Sequence, residues 1–578
     1  MKTRILIALC LVIVLGAAQL AVAARQMGQA EPEPTAAHAY LPAVISPATV
    51  DLTITRLETS QAIQTPGQTI PLVANRPSVV RVYLQAIADH PVNGVYVSFS
   101  AARAGVPLAG SPKIVGPVTA PLSPAQGVYT STVNVSLPSS WLSGSVALAV
   151  VADPAEAIFE TNESNNGVTT SLVFNSVPPL NLKIVPVNYT HSPTGKYFPA
   201  VYTDPVSDFM KRTYPLSAIN VTYRTPPVDF MGNLLLASEW ERLHDTITAI
   251  KYSDGAPASQ VYYGLVPTQN AYGDTYYTFI GGIAWIGLRA AVGLDSVITV
   301  GAHEIGHTFG RLHAPCGNPA GVDPSYPYPG ASIGNYGLDV YSNVLVNPGA
   351  PEYAKDLMSY CSPVWISDYT YLGLYNDQRL HGLAEAQMTL SQVLLIRAKF
   401  SHPEEAVLLP VYSLSGIPDE AVEVSDYAIE IFNQAGETIN TYPVRLYESG
   451  EPDVPSLAIY AALPQPSQPI SKIRLLRSGK VLAERPLNDR PLVQARLQAL
   501  NPSQVTITLA WERAETPAVV RVSAGPRDQW VTLGVDVLGG SLPVDRSWLA
   551  GSELHFEVIP ADTSTPMSQT LTLAGDGR

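Results

Sequence analysis

Apolar and polar residues alternate with period two in the first readable third of the chain and again in its last. Leu52, Ile54 and Leu57, then Val79 to Leu84, then Val95, Val97 and Phe99, then Val146 to Val151 are short apolar-rich runs separated by Pro, Gly and Asn turns. That spacing predicts an antiparallel β-sandwich. After Pro178-Pro179 the pattern becomes mixed: Leu182, Ile184, Val185 and Val187 predict a strand, and Trp240, Leu243, Ile247 and Ile250, three and four apart, predict an amphipathic helix over 239–250. Val261 to Val266 predicts a further strand, so the middle of the chain reads as α/β or α+β. Beyond about Ser401 helix signals stop, and short strands recur at Asp426 to Phe432, Ile473 to Leu476, Val505 to Leu509, Val519 to Val522 and Leu554 to Val558.

The expected organisation is a leader over 1–24, a Pro- and Ala-rich spacer over 25–48, a sandwich over 49–177, a mixed domain over 180–398, and sandwiches over 401–492 and 493–578. Lys2 and Arg4 precede an apolar run from Ile5 to Ala18, and Ala21-Val22-Ala23 is a small-x-small cleavage pattern, so the leader reads as a secretory signal. An uncleaved anchor is the alternative, for which the run is short. The expected product is secreted and extracellular, with no stable membrane insertion after signal removal.

Composition narrows the function classes. In 578 residues, 34 Lys and Arg stand against 48 Asp and Glu, a net charge of −14 with no basic cluster, which excludes nucleic acid as a main partner. The chain has three cysteines, Cys10, Cys316 and Cys361. That is too few for a cysteine-rich zinc ribbon, so any metal must be held by histidines and carboxylates.

The chemistry concentrates in Gly301-Ala302-His303-Glu304-Ile305-Gly306-His307-Thr308-Phe309-Gly310-Arg311-Leu312-His313, an H-E-x-x-H-x-x-G-x-x-H pattern. A helix capped by Asp295-Ser296 would place His303 and His307 one turn apart on one face, where both can reach one zinc ion. A stop at Gly310, where positive φ costs least, would bring His313 back as third ligand. Three neutral histidines leave a position for water, and Glu304 stands beside it as general base toward the zinc-activated water. A structural zinc site and an inactive relative are the competing readings.

This motif resembles that of the metzincin metallopeptidases. The resemblance implies a tight turn with Met beneath the zinc, and Asp356-Leu357-Met358-Ser359-Tyr360 fits it, with Met358 as the apolar floor. It also implies that Tyr360 stabilises the tetrahedral oxyanion, as in the astacin and serralysin branches; an ordinary core or rim tyrosine is the alternative. Gly282, Ile283 and Ala284 occupy the place where the family pairs an edge strand with extended substrate, and a plain core strand is the alternative. Pro363-Val364-Trp365 falls where the family shapes a substrate pocket, and Ser367-Asp368 looks like the cap of a closing helix. Ala314 after His313 and the absence of G-G-x-G-x-D repeats leave the branch unassigned.

Asp153-Pro154, followed by Glu160-Thr161-Asn162-Glu163-Ser164-Asn165-Asn166, resembles the ending of the bacterial adhesion-related CARDB modules. The resemblance allows a calcium ion on these oxygen ligands, which nothing else in the sequence supports; a metal-free polar turn is the bland reading. Residues 505–523 with Trp511 and Trp530 distantly resemble a fibronectin type III or Ig-like module. Once Cys10 leaves with the leader, Cys316 and Cys361 flank one site in an oxidising compartment, so a disulfide is expected, two free buried thiols being the alternative. No thiol then remains for a cysteine-type latency switch.

The expected fold class is multidomain, an α+β metzincin-like catalytic domain flanked by all-β Ig-like or fibronectin-like sandwiches. The expected function is a monomeric, secreted zinc endopeptidase with one catalytic Zn2+, acting on extracellular protein or glycoprotein substrates. The rival is a cell-surface adhesion or glycan-binding protein whose central domain is inactive.

Overall fold

The computed structural model describes residues 49–270, 273–275, 280–349, 353–382, 389–451, 456–488, 494–501, 504–510, 516–523, 530–545 and 553–574. The leader and spacer of residues 1–48, with Cys10, lie outside them, as does Trp511. Among the described residues there are 36 strand segments and four α-helices: α1 (Ser207–Thr213), α2 (Ala237–Ser253), α3 (Ile298–Thr308) and α4 (Asp368–Gly382). The expected fold class, an α+β metzincin-like catalytic domain flanked by sandwiches, is therefore corrected: the described residues are predominantly β, and no α+β metzincin-like catalytic domain stands apart among them. The physical reason lies in the cores described below, which run from sheet to sheet. No helix among the described residues is long and apolar enough to cross a membrane.

The first sandwich packs a three-stranded sheet (Asp51–Ser60, Val79–Ile87, Val133–Ser136) on a six-stranded one that includes Val92–Arg103, Gly144–Ala152 and Gly167–Asn175. Alternation is legible in Gly144–Ala152, where Val146, Leu148, Val150 and Ala152 are buried and the intervening residues are not. In Val79–Leu84 every residue is buried. Its second face is covered too: Val79 packs on Leu338 and Val340, and the buried Arg81 guanidinium lies 3.2 Å from Glu58.

In the middle of the chain, Leu180–His191 pairs in parallel with Ile219–Tyr223, Val228–Gly232 and Val261–Val266, and Val261–Val266 pairs in parallel with Ala290–Leu294. Gly282–Ala284 closes this sheet as an antiparallel strand. Val261–Val266 is buried throughout because helices cover both faces, as parallel strands require. Val261, Tyr263 and Leu265 face α1 and α3, while Tyr262 and Val266 face α2.

The last third forms two further pairs of sheets, one over Ser391–Pro486 and one over Gln494–Ala574. They share side chains with the middle sheet rather than hanging from it. Ala458 and Tyr460 lie in one apolar cluster with Trp240, Leu243 and Trp285. Asp245 of α2 accepts from Tyr460 and pairs with Lys399. Arg521, 1% exposed, donates to the Ser253 and Ser415 carbonyls at 3.1 Å and pairs with Glu557. Residues 49–578 accordingly form one compact unit.

Tyr460→Ala empties a shared core position and removes the Asp245 bond. The expected cost is about 3–5 kcal/mol, against about 1 kcal/mol for Tyr460→Phe, which loses only the hydroxyl. Denaturant unfolding of both variants checks this; equal losses would place the ring outside the shared core.

Candidate metal centre

Helix α3 begins without a side-chain cap: Val297 holds the N-cap position, and Asp295, expected there, instead accepts from the Thr268 N–H and hydroxyl at 3.0 and 2.6 Å. Burial, not capping, holds this helix, since Gly301 through Thr308 are all inaccessible. Two glycines permit the burial. A Cβ on Gly301 would sit 2.2 Å from Val206, and one on Gly306 would sit 2.5 Å from the Met358 sulfur. The Tyr214 hydroxyl braces the helix by donating to the Ala302 carbonyl at 2.5 Å. After Phe309 the chain turns at Gly310, with φ +75°, and returns His313 to the helix face.

The three imidazoles share one arrangement. Each has its Nδ1 against a backbone carbonyl, which can only accept: Leu357 at 2.9 Å for His303, Arg311 at 2.6 Å for His307 and Ala320 at 2.7 Å for His313. The proton of each neutral ring is thereby placed on Nδ1, and each Nε2 is left as a lone pair. These lone pairs point at one another, with His307 Nε2 3.1 Å from His303 Nε2 and 3.2 Å from His313 Nε2. Three acceptors cannot satisfy each other, but a cation between them can. A tetrahedral metal with nitrogens at about 2.0–2.1 Å separates them by about 3.3–3.4 Å, so the residues fit zinc.

Burial reinforces this. It holds the His303 pKa down at about 4, helped by neighbouring His313, and pushes that of His307 well below the ordinary histidine range, helped by the other two rings. Neutral rings are the form that binds metal. Glu304 is 2% exposed, its Oε2 has no hydrogen-bond partner, and burial followed by the nearby Glu451 charge raises its pKa well above the carboxylate norm. Its side chain lies against the edge strand, where a Cβ on Gly282 would meet Glu304 Cγ at 2.6 Å.

The turn at Met358 is built by Asp356, a residue to which sequence reasoning gave no role. Its fully buried carboxylate accepts from the Met358 N–H at 2.8 Å and the Ser367 N–H at 2.9 Å. Ser367 in turn caps α4, its hydroxyl oxygen accepting from the Thr370 N–H at 3.1 Å. Met358 accepts from the Ala314 N–H at 2.8 Å, and Cys316 is bonded to Cys361, so the His313 loop and this turn are tied twice. The Tyr360 ring packs 4.9 Å from that of His313, and its hydroxyl donates to Glu451. Trp365 is buried and donates to the Ala62 carbonyl at 2.9 Å.

Glu451 is the second residue that sequence reasoning missed. Its Oε1 lies 3.8 Å from both His303 Nε2 and His313 Nε2, and with the three histidines it completes a group whose ligand atoms all fall within 4.8 Å of one another. Burial opposes its charge, the Tyr360 hydroxyl that donates to it favours it, and on balance its pKa lies below the usual value. Gly282, Ile283 and Ala284 are all buried in the edge strand, and Ala284, Trp285 and Ile286 are bonded on the outer side to residues 448–450. At the turn read for calcium, Glu160 accepts from the Leu52 N–H at 2.5 Å and the Asn166 amide at 2.8 Å, while Asp153 accepts from the Ile158 N–H.

Neither a family model nor a curated protein matches the chain. Among solved structures it is similar to the CARDB domain of a Pyrococcus furiosus protein in complex with di-metal ions, at 16% identity over 22% of this chain and 94% of that one, TM-score 0.16. It is similar also to a glycosyl hydrolase family 2 member from Bacteroides cellulosilyticus, at 10% identity over 90% of this chain and 79% of that one, TM-score 0.16. A third is the central fibronectin-III array of RIM-binding protein, at 12% identity over 33% of this chain and 63% of that one, TM-score 0.12. None of the three is described as a peptidase, and TM-scores this low carry no argument, so the assignments rest on the chain's own geometry.

Removing the disulfide with Cys316→Ser and Cys361→Ser reopens a loop of sequence separation 45, with an expected loss of about 4 kcal/mol, read by denaturant unfolding. Acid should also destabilise the metal-free protein. The folded His303 refuses a proton until about pH 4, against 6.5 when unfolded, so its stabilisation is complete above 6.5 and lost as pH falls toward 4. Melting chelator-treated protein across that range should show Tm falling; a flat profile would contradict the burial.

Proposed function

We propose that the chain is a secreted zinc endopeptidase that hydrolyses peptide bonds of extracellular proteins. The observation that carries this is the convergence of three Nε2 lone pairs, each fixed by an Nδ1 to carbonyl bond, beside a buried carboxylate without a partner. His303, His307 and His313 would hold the ion. Bound there, zinc supplies Lewis-acid polarisation of a carbonyl and lowers the pKa of water.

The remaining work falls to side chains of this protein. Glu304, whose burial raises its proton affinity, takes the proton from the attacking water and returns it to the departing amine, as a general base of raised pKa does well near neutrality. Tyr360 presents a hydroxyl that already donates to a carboxylate oxygen at the centre, and in the reaction it donates to the oxygen where negative charge develops. The main chain of Gly282, Ile283 and Ala284 offers strand pairing that is tolerant of substrate sequence. Zinc is the one cofactor this reading requires, and protein or glycoprotein chains are its substrates.

A second reading is a cell-surface adhesion or glycan-binding protein with an inactive centre. The weight of sandwich sheets in the chain and the presence of Glu451 among the histidines favour it.

The two readings separate on zinc content and cleavage. Purified protein should carry about one zinc, the single-site expectation, and Glu304→Ala should keep the zinc while losing cleavage of a peptide library by about 10²–10⁴-fold. Because Glu451 stands in the cleft, the comparison is repeated in a Glu451→Ala background. Absence of zinc, or equal cleavage with and without Glu304, would sink the peptidase.

A further inference from the structure

The end of the edge strand, at Ala284, and the two residues that follow it are already paired, and their partner belongs to the same chain. Ile286 donates its N–H to the Glu448 carbonyl at 2.8 Å, Gly450 donates to the Ala284 carbonyl at 2.8 Å, and Trp285 forms an antiparallel bridge with Ser449. These are the bonds of β-strand addition. The segment is rooted in its own sheet, since Tyr447 and Glu448 pair with Ala458 and Leu457, and Ser449 donates to the Ser456 carbonyl at 3.0 Å. It is a strap, held along one side by a sandwich and along the other by the cleft.

Two details show that the strap is fitted to the centre. At Gly450 the backbone passes so close to His307 that a Cβ would lie 2.7 Å from Cδ2 and 2.9 Å from Nε2, and only glycine leaves room. One residue on, Glu451 turns its carboxylate inward, 13% exposed, with Oε1 3.8 Å from two of the metal-binding nitrogens and Oε2 accepting from Tyr360. A hydroxyl that the peptidase reading gives to substrate is thus spent on the strap, as is the Ala284 end of the edge strand.

We propose that Glu448–Glu451 is a built-in occupant of the substrate cleft, with Glu451 the fourth ligand of the bound metal. Three histidines with one carboxylate make a closed four-ligand site, whereas catalysis needs an open position. The strap holds the Ala284 end of the strand, the Tyr360 hydroxyl and the metal's open side at once, so the full chain is latent and a substrate must compete with an intramolecular ligand. The ligand role rests on the cluster alone; latency rests in addition on the peptidase reading.

The experiment uses the full chain loaded with cobalt(II), whose visible absorption reports ligand number and type, and compares wild type with Glu451→Gln, Glu451→Ala and Gly450→Val. Far-ultraviolet circular dichroism checks that each variant is folded, and Glu451→Gln, which preserves size, guards against misfolding in the others. The variants should change the cobalt spectrum and weaken zinc retention against a chelator by roughly 10–100-fold. Acetohydroxamate, a small bidentate probe, should shift the spectrum of Glu451→Ala at concentrations that leave wild type unchanged. Peptide cleavage should rise by roughly 10²-fold in the same variant. A changed spectrum with no cleavage by any variant keeps Glu451 as ligand and removes the peptidase reading instead. Unchanged spectrum, zinc retention and hydroxamate response in folded Glu451→Gln and Glu451→Ala would overturn the proposal.

Discussion

Three nitrogen lone pairs in one buried cluster, that of His307 within 3.1 and 3.2 Å of the other two, are an arrangement that a folded chain must be compelled to make. Each Nε2 repels the other two, and the low-dielectric surroundings strengthen that repulsion. The three Nδ1 to carbonyl bonds remove the easy escape, a change of tautomer that would let one ring donate to the next. The carbonyls come from three places: the Met358 turn, the end of α3 and the loop after His313. Much of the surrounding structure can be understood as what keeps those three places in register.

That register is maintained by packing, with little room for adjustment. Gly306 lets the Met358 sulfur lie against α3, Asp356 ties the turn to the start of α4, and the Cys316–Cys361 bond fixes the His313 loop to the same turn. The middle sheet holds α3 on one face and α2 on the other. On the α2 face, its apolar cluster extends into Ala458 and Tyr460 of the following sandwich. That continuity is why the strap reaches the centre from a sheet so far along the chain.

How much of this was legible beforehand follows from how local each feature is. The His303, Glu304, His307 and His313 pattern is written in thirteen consecutive residues, because one helical turn and one glycine exit determine the spacing. Period-two alternation located strands such as Gly144–Ala152, but said nothing of a second buried face, so the all-buried Val79–Leu84 gave no warning that sheets pack on sheets throughout. The fold class departs from the expectation for that reason: one strong helical motif and one amphipathic helix carry a conspicuous local signal but few residues, while strands dominate the described part of the chain. Asp295 looked like a cap because caps are local; Thr268 claimed it through tertiary structure. Glu451 had no local signature at all. A Gly-Glu pair before a proline is an ordinary turn until the fold sets it against His307.

A carboxylate at this centre also changes how Glu304 should be understood. Two buried acids near one cluster cannot both carry charge cheaply, and their environments push them apart: Glu451, accepting from Tyr360, is shifted toward its ionised form, while Glu304, more deeply buried and with a partnerless oxygen, is pushed toward its protonated form. With the strap in place, the residue suited to be a base is therefore biased toward carrying a proton. Withdrawal of Glu451 would do two things at once. It would open a position beside the histidines, and it would remove the Glu451 charge, the lesser of the two causes that raise the Glu304 pKa, burial being the larger.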